Sequence, residues 1–163
     1  MPQTTDHLQQ AATNLKVLAH LNQTLPTAYD WQVTLCFYTA VHLVNAHLAQ
    51  SSLQQRSHFD TLQLINPHKL GVPVQFRLSE TAFDAYRVLQ SLSRRARYLV
   101  NEKDGQLSTD TAAWTHAKHT AKAFRHLDTL LDYFQTTHKM PIPTASLQHE
   151  GLSKNAFKVL KIV

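Results

Sequence analysis

Apolar residues recur every three or four positions along several stretches of the chain, the spacing of helices with one buried face. Leu8, Ala11 or Ala12, Leu15, Leu18 and Leu21 or Asn22 mark a first helix over 5–24, with Thr4 or Thr5 as its cap. Leu25-Pro26-Thr27 ends it, because proline disfavours helical geometry at the residue before it. The second helix, 28–50, carries Val33, Leu35, Cys36, Phe37, Ala40, Val41, Leu43, Val44, Ala46 and Leu48 around its whole girth. Such a helix is buried by its neighbours or by another subunit. Ser57 caps a short helix over 57–66, and a loop with a short extended piece at Val72–Phe76 follows. Ser79 caps a strong helix over 80–100, with acidic residues toward its start and Arg94, Arg95 and Arg97 toward its end, where they complement the helix dipole. The polar stretch 101–109, with Asp104-Gly105, reads as a turn. A last helix runs from about Asp110 to Thr137 on the stripe Ala113, Ala117, Thr120 or Ala121, Phe124, Leu127, Leu131 and Phe134.

Composition narrows the fold class. Three glycines in 163 residues are too few for the turns of a β-sandwich or barrel. Gly71, Gly105 and Gly151 are also too isolated to build a phosphate-cradling loop. The expectation is all-α: an antiparallel bundle of four to five helices over 1–137, and a tail over 138–163. Met140-Pro141-Ile142-Pro143 makes the tail extended, and Ser153 caps a short helix that docks through Ala156, Phe157 and Leu160. Cys36 is the single cysteine and reads as a small buried hydrophobe, so neither a disulfide nor a cysteine-based zinc site is expected. No signal-like leader and no membrane-length apolar run occurs, so the expected setting is a reducing cytoplasm without a membrane partner.

The net charge is +5, and it is uneven. Charges cancel over residues 1–80, whereas twelve basic residues face seven acidic ones afterwards. That asymmetry points toward an anionic partner, although a solvated basic surface is the plainer reading.

Three stripes carry candidate chemistry. On the second helix Trp31, Leu35, Tyr38, His42, Asn45 and Ala49 align, so three polar functions sit on a mostly apolar element. Buried polar groups need partners, and core hydrogen bonding to a neighbouring helix is the plainer role for Tyr38 and His42. On the fourth helix Phe83, Tyr86, Ser93 and Arg97 align, and an Arg one turn from a Ser suits an anion such as phosphate. Arg94 and Arg95 are expected to splay toward solvent. On the last helix Lys118, Lys122 and Arg125 share a face, and His116 and His119 form an i, i+3 pair. Two histidines without a nearby carboxylate make a poor metal site, so no metal and no cofactor is expected.

The string Asp30-Trp31-x-x-x-x-Cys36-Phe37-Tyr38-x-Ala40-x-His42-x-x-Asn45-Ala46 resembles the early helix of bacterial HEPN-like small proteins. Ser57-His58-Phe59-Asp60 resembles their next short segment, and Ala85-Tyr86-x-x-Leu89-x-x-x-Ser93-x-x-Ala96-Arg97-Tyr98 their later helix. The likeness spans roughly residues 28–100. It implies a helical bundle, often a homodimer, which here would pair through the apolar second helix. It also implies a stress, defence or toxin–antitoxin setting, with RNA, a nucleotide or a protein as partner. The family's ribonucleases place a His four to six residues after an Arg on one helix. Here the histidine after Arg97 is His116, and Arg56 is followed too soon by His58, so that pair has no counterpart. The expected function is therefore a binding module, with Tyr38, Asn45, His58, Tyr86, Ser93 and Tyr98 as binding residues. The alternative is a metal-independent ribonuclease in which Arg97 stabilises phosphate charge and His42 moves the proton.

Overall fold

The computed structural model describes residues 1–55, 57–103, 106–108 and 110–163. Five α-helices dominate the described residues: α1 (Thr4–Thr24), α2 (Tyr29–Ala49), α3 (His58–Ile65), α4 (Glu80–Tyr98) and α5 (Ala117–Thr137). Two small sheets accompany them. Strands β1 (Asn101–Lys103) and β2 (Gln106–Ser108) pair antiparallel, with Glu102 opposite Leu107. Strands β3 (Ser146–Leu147) and β4 (Lys161–Ile162) pair in parallel. The all-α reading holds, with minor strands added. The expected Asp104-Gly105 turn lies outside the described residues.

Helix α2 is the hub, packed against α1, α4 and α5. Val33, Cys36, Phe37, Ala40, Leu43, Val44, Ala46 and Leu48 are all inaccessible to solvent. Their apolar girth is thus explained within one chain. Leu35 and Val41 of the same girth are only partly buried. Leu15 and Leu18 of α1, Leu89 of α4, and Phe124, Leu127, Leu131 and Phe134 of α5 complete the same core. Among the described residues no helix is long and apolar enough to cross a membrane.

The helix ends show where local chemistry decided and where it did not. Ser57 Oγ accepts from Phe59 N and Asp60 N, and Ser79 Oγ accepts from Ala82 N, as the sequence suggests. At α1, however, the cap is Gln3, whose backbone N–H donates to Asp6 Oδ2 at 2.7 Å. Thr4 instead donates across to the Ala46 carbonyl of α2. Helix α5 starts at Ala117, seven residues after the expected Asp110. The cause is tertiary: Ala113 N donates to Leu99 O, and Arg95 Nη1 donates to Trp114 O. Those bonds hold the segment against the end of α4. Val74–Phe76 forms a 3₁₀ turn rather than an extended piece.

The tail is part of the core. Met140, Ile142, Ala145, Leu147, Leu152, Val159, Leu160 and Ile162 are buried with the helices. The expected short helix after Ser153 is a single 3₁₀ turn, Lys154–Ala156, without a side-chain cap bond; Phe157 and Leu160 dock on the core, Ala156 is exposed, and strand β4 follows. Asp128 of α5 accepts from Lys158 N, Val159 N and Leu160 N at 2.7–2.9 Å. Asn22 of α1 clamps Gln148 from both sides of its peptide, accepting from the N–H and donating to the carbonyl.

Candidate functional site

The end of α4 carries three arginines, Arg94, Arg95 and Arg97. Alanine, leucine, glutamine and arginine favour the helix up to Tyr98, and Leu99 ends it in the left-handed conformation with φ 55°. Ser93 and Arg97 lie one turn apart and meet: Arg97 Nε donates to Ser93 Oγ at 3.1 Å and to Ser93 O at 3.3 Å. Arg97 Nη1 donates at 3.4 Å to both Tyr38 OH of α2 and Tyr98 OH. Its guanidinium carbon stands 5.7 Å from the Tyr38 ring centre and 5.0 Å from that of Tyr98, within cation–π range.

Every one of these partners is neutral. Among the described residues Arg97 has no carboxylate at ion-pair distance, whereas Arg87 has Asp84 and Arg94 has Glu102. A guanidinium that is held by hydroxyls and makes no ion pair is suited to an anion from solution.

Arg97 opens on two cavities. One, of about 350 Å³, is lined by His58, Phe59, Leu62, Gln90, Arg94, Arg97 and Tyr98. The other, of about 220 Å³, is lined by Asp30, Trp31, Thr34, Ala96 and Arg97. Phe59 and Tyr98 of the larger cavity and Trp31 of the smaller are 68%, 61% and 64% exposed, so each cavity has a largely exposed aromatic side chain on its border. The His58 ring packs 5.3 Å from that of Phe37. Burial, and then the Arg97 charge, hold its pKa below the ordinary histidine value, so the imidazole beside Arg97 is neutral near pH 7.

The structure thus gathers Tyr38, His58, Ser93, Arg97 and Tyr98. It turns His42 elsewhere. His42 sits one turn beyond Tyr38 but faces α1, with its Nδ1 3.2 Å from His7 Nδ1, and it lines neither cavity. Burial, and then His7, lower its pKa. Asn45 is half-buried and makes no side-chain hydrogen bond to the described residues. Tyr86 is fully buried against Phe37, its hydroxyl has no partner among the described residues, and burial pushes its pKa up. A ligand cannot reach it. Ser93 is equally buried, so its role is to hold Arg97.

Arg94 and Arg95 do not splay into solvent. Arg94 pairs with Glu102 of β1 at 3.5 Å, and Arg95 donates to Asn101 Oδ1 and Trp114 O. The His116–His119 pair closes the start of α5, where His116 N donates to His119 Nδ1 at 2.9 Å. Among the described residues no group of three or more His, Cys, Asp or Glu gathers at metal-binding distance. Cys36 is buried, and its thiol pKa is raised by burial.

Trp31, Phe59 and Gln90 were not singled out as cavity residues by the sequence. The two aromatics carry no local mark of exposure, because apolar residues at helical spacing look like core.

No protein-family model matches the chain, and neither curated proteins nor solved structures provide a match.

Proposed function

We propose that the chain is a HEPN-like helical module that binds the phosphate of a nucleotide or of RNA at Arg97. The observation that carries this is the Arg97 guanidinium, fixed by Ser93, Tyr38 and Tyr98, with no carboxylate at ion-pair distance among the described residues and exposed aromatic side chains lining its cavities. Phosphate would take the free donors, and a base would stack on Tyr98 or Phe59. The larger cavity is of ligand-binding size. The resemblance carries the stress, defence or toxin–antitoxin setting; the geometry supports the ligand class.

The test is a titration with uridine monophosphate and with oligouridylates, read by calorimetry and fluorescence anisotropy. Arg97→Gln is expected to weaken both by at least about tenfold, the loss of one charge-assisted contact. Equal affinities for wild type and variant, or no binding by either, would overturn the reading.

The position of His58 favours a second reading, metal-independent cleavage, in which His58 rather than His42 is the imidazole beside Arg97. A neutral imidazole there can take the proton of a 2′-hydroxyl, and Arg97 can stabilise the charge developing on the phosphate. The same oligouridylates, run on a denaturing gel, report it. Shortening by wild type and not by His58→Ala supports cleavage, and intact RNA in both removes it.

A further inference from the structure

The start of α5 forms a second basic hollow. A cavity of about 400 Å³ there is lined by Arg95, Asn101, Trp114, His116, Lys118 and His119, among others. Trp114 is 62% exposed, and Lys118 stands in solvent. The first turn of α5 contains no acidic residue, and among the described residues neither Arg95 nor Lys118 has a carboxylate at ion-pair distance. Arg95 spends two donors on neutral oxygens, leaving the rest of its fork available. Lys122 and Arg125 follow Lys118 on the same face of α5 at four- and three-residue spacing. His119 reflects these charges. Burial first, and then Arg95, Lys118, His116 and Lys122, push its pKa down to about 4. It is therefore neutral near pH 7 and accepts from His116 N, which leaves arginine and lysine as the cations of the hollow.

This hollow and the Arg97 cavity are separate and share no lining residue, but both border the last turn of α4. Each helical residue turns the side chain by about 100°, so Arg97, Arg94, Tyr98 and Arg95 succeed one another around the final turn. Arg94 and Tyr98 line the first cavity and Arg95 lines the second. Along this arc Arg97 and Arg95 have no carboxylate at ion-pair distance among the described residues, Arg94 between them is paired with Glu102, and Tyr98 and Trp114 are exposed. Two open cations, each near an exposed ring, suit a strand with phosphates on one edge and bases on the other.

We propose that Arg95, Lys118 and Lys122, with Trp114, form a second phosphate-and-base subsite, and that a single-stranded nucleic acid bound at Arg97 runs across the last turn of α4 to reach it. The proposal rests on the nucleotide reading of Arg97 and adds the polymer: a mononucleotide engages one subsite, a strand engages both.

The experiment compares wild type, Lys118→Gln/Lys122→Gln, Trp114→Ala and Arg97→Gln with uridine monophosphate and oligouridylates of increasing length over a range of salt. The three altered α5-side residues are on the surface, and melting curves check that the variants fold. For the double lysine variant the mononucleotide affinity is expected to be unchanged. Its affinity for long strands should drop by about tenfold, and the slope of log K against log salt should flatten by roughly 1.4, the value for two released single-strand phosphates. Trp114→Ala should weaken long strands without altering the salt slope. Unchanged strand affinity and slope in the lysine variant would overturn the second subsite, as would an equal loss of mononucleotide and strand. Strand binding that survives Arg97→Gln but fails in the lysine variant would keep the α5 subsite and overturn the Arg97 reading. Binding to anionic phospholipid vesicles with none to oligouridylates would replace both by a membrane surface.

Discussion

Asp128 and Arg97 are both charged side chains on long helices that reach across to another part of the chain, yet they end in opposite states. Asp128 is 5% exposed, and its two oxygens accept three backbone N–H groups of the tail. Its capacity for hydrogen bonds is consumed by the fold. Arg97 is half-buried, and its donors meet only hydroxyls and one carbonyl, with no carboxylate at ion-pair distance among the described residues. A buried charge that is fully bonded is architecture. A charge that is fixed in place but not neutralised is capacity for a ligand.

The sharpest way to break this contrast is at Asp128. Asp128→Ala leaves three tail N–H groups without their acceptor and should cost about 3 kcal/mol of stability in urea denaturation. Arg97→Gln, by comparison, should stay within about 1 kcal/mol of wild type in the same measurement while losing nucleotide binding. If the two variants are equally unstable, Arg97 is structural and the contrast fails.

Acid should separate the two regions next. His47 is 5% exposed beside His138, with ring centres 4.5 Å apart, and neither of its nitrogens has a well-aligned partner among the described residues. Burial first, and then the His138 charge, lower its pKa to about 4, and the nearby backbone of Phe76 and Gln75 offsets only part of this. The unfolded chain therefore binds a proton at His47 near its ordinary value, well before the folded chain does. The stability held by the neutral ring is complete above about pH 6.5 and falls as the pH drops toward 4. Between pH 7 and pH 5 the loss in wild type should exceed that in His47→Leu by about 2 kcal/mol, measured by denaturant titration at each pH. Parallel pH profiles would remove His47 from the account.

The smallest effect belongs to Tyr86. Its hydroxyl is buried and unpartnered among the described residues, so Tyr86→Phe should be neutral or stabilising by up to about 1 kcal/mol. Nucleotide affinity should not change. Weakened binding would return Tyr86 to the site that its burial excludes it from.

The sequence by itself determined the helices and part of the candidate site. Helical periodicity, the serine caps of α3 and α4, and the scarcity of glycine are local or compositional, so they survive in the folded chain. The Ser93–Arg97 contact was legible for the same reason, since residues one turn apart on a helix must be neighbours. What only the tertiary structure decided depends on contacts between distant segments. His42 shares a helix stripe with Tyr38, but the packing of α1 gives it His7 while α4 gives Tyr38 Arg97. Trp114 and Arg95 are 19 residues apart, and their bond delays the start of α5. The tail looks detachable in sequence because its prolines prevent a long helix, yet Asp128 and Asn22 bind it by its backbone, which carries no side-chain signature. Periodicity reports which residues share a face. It does not report what that face meets, and whether a charge is neutralised or left open is decided by what it meets.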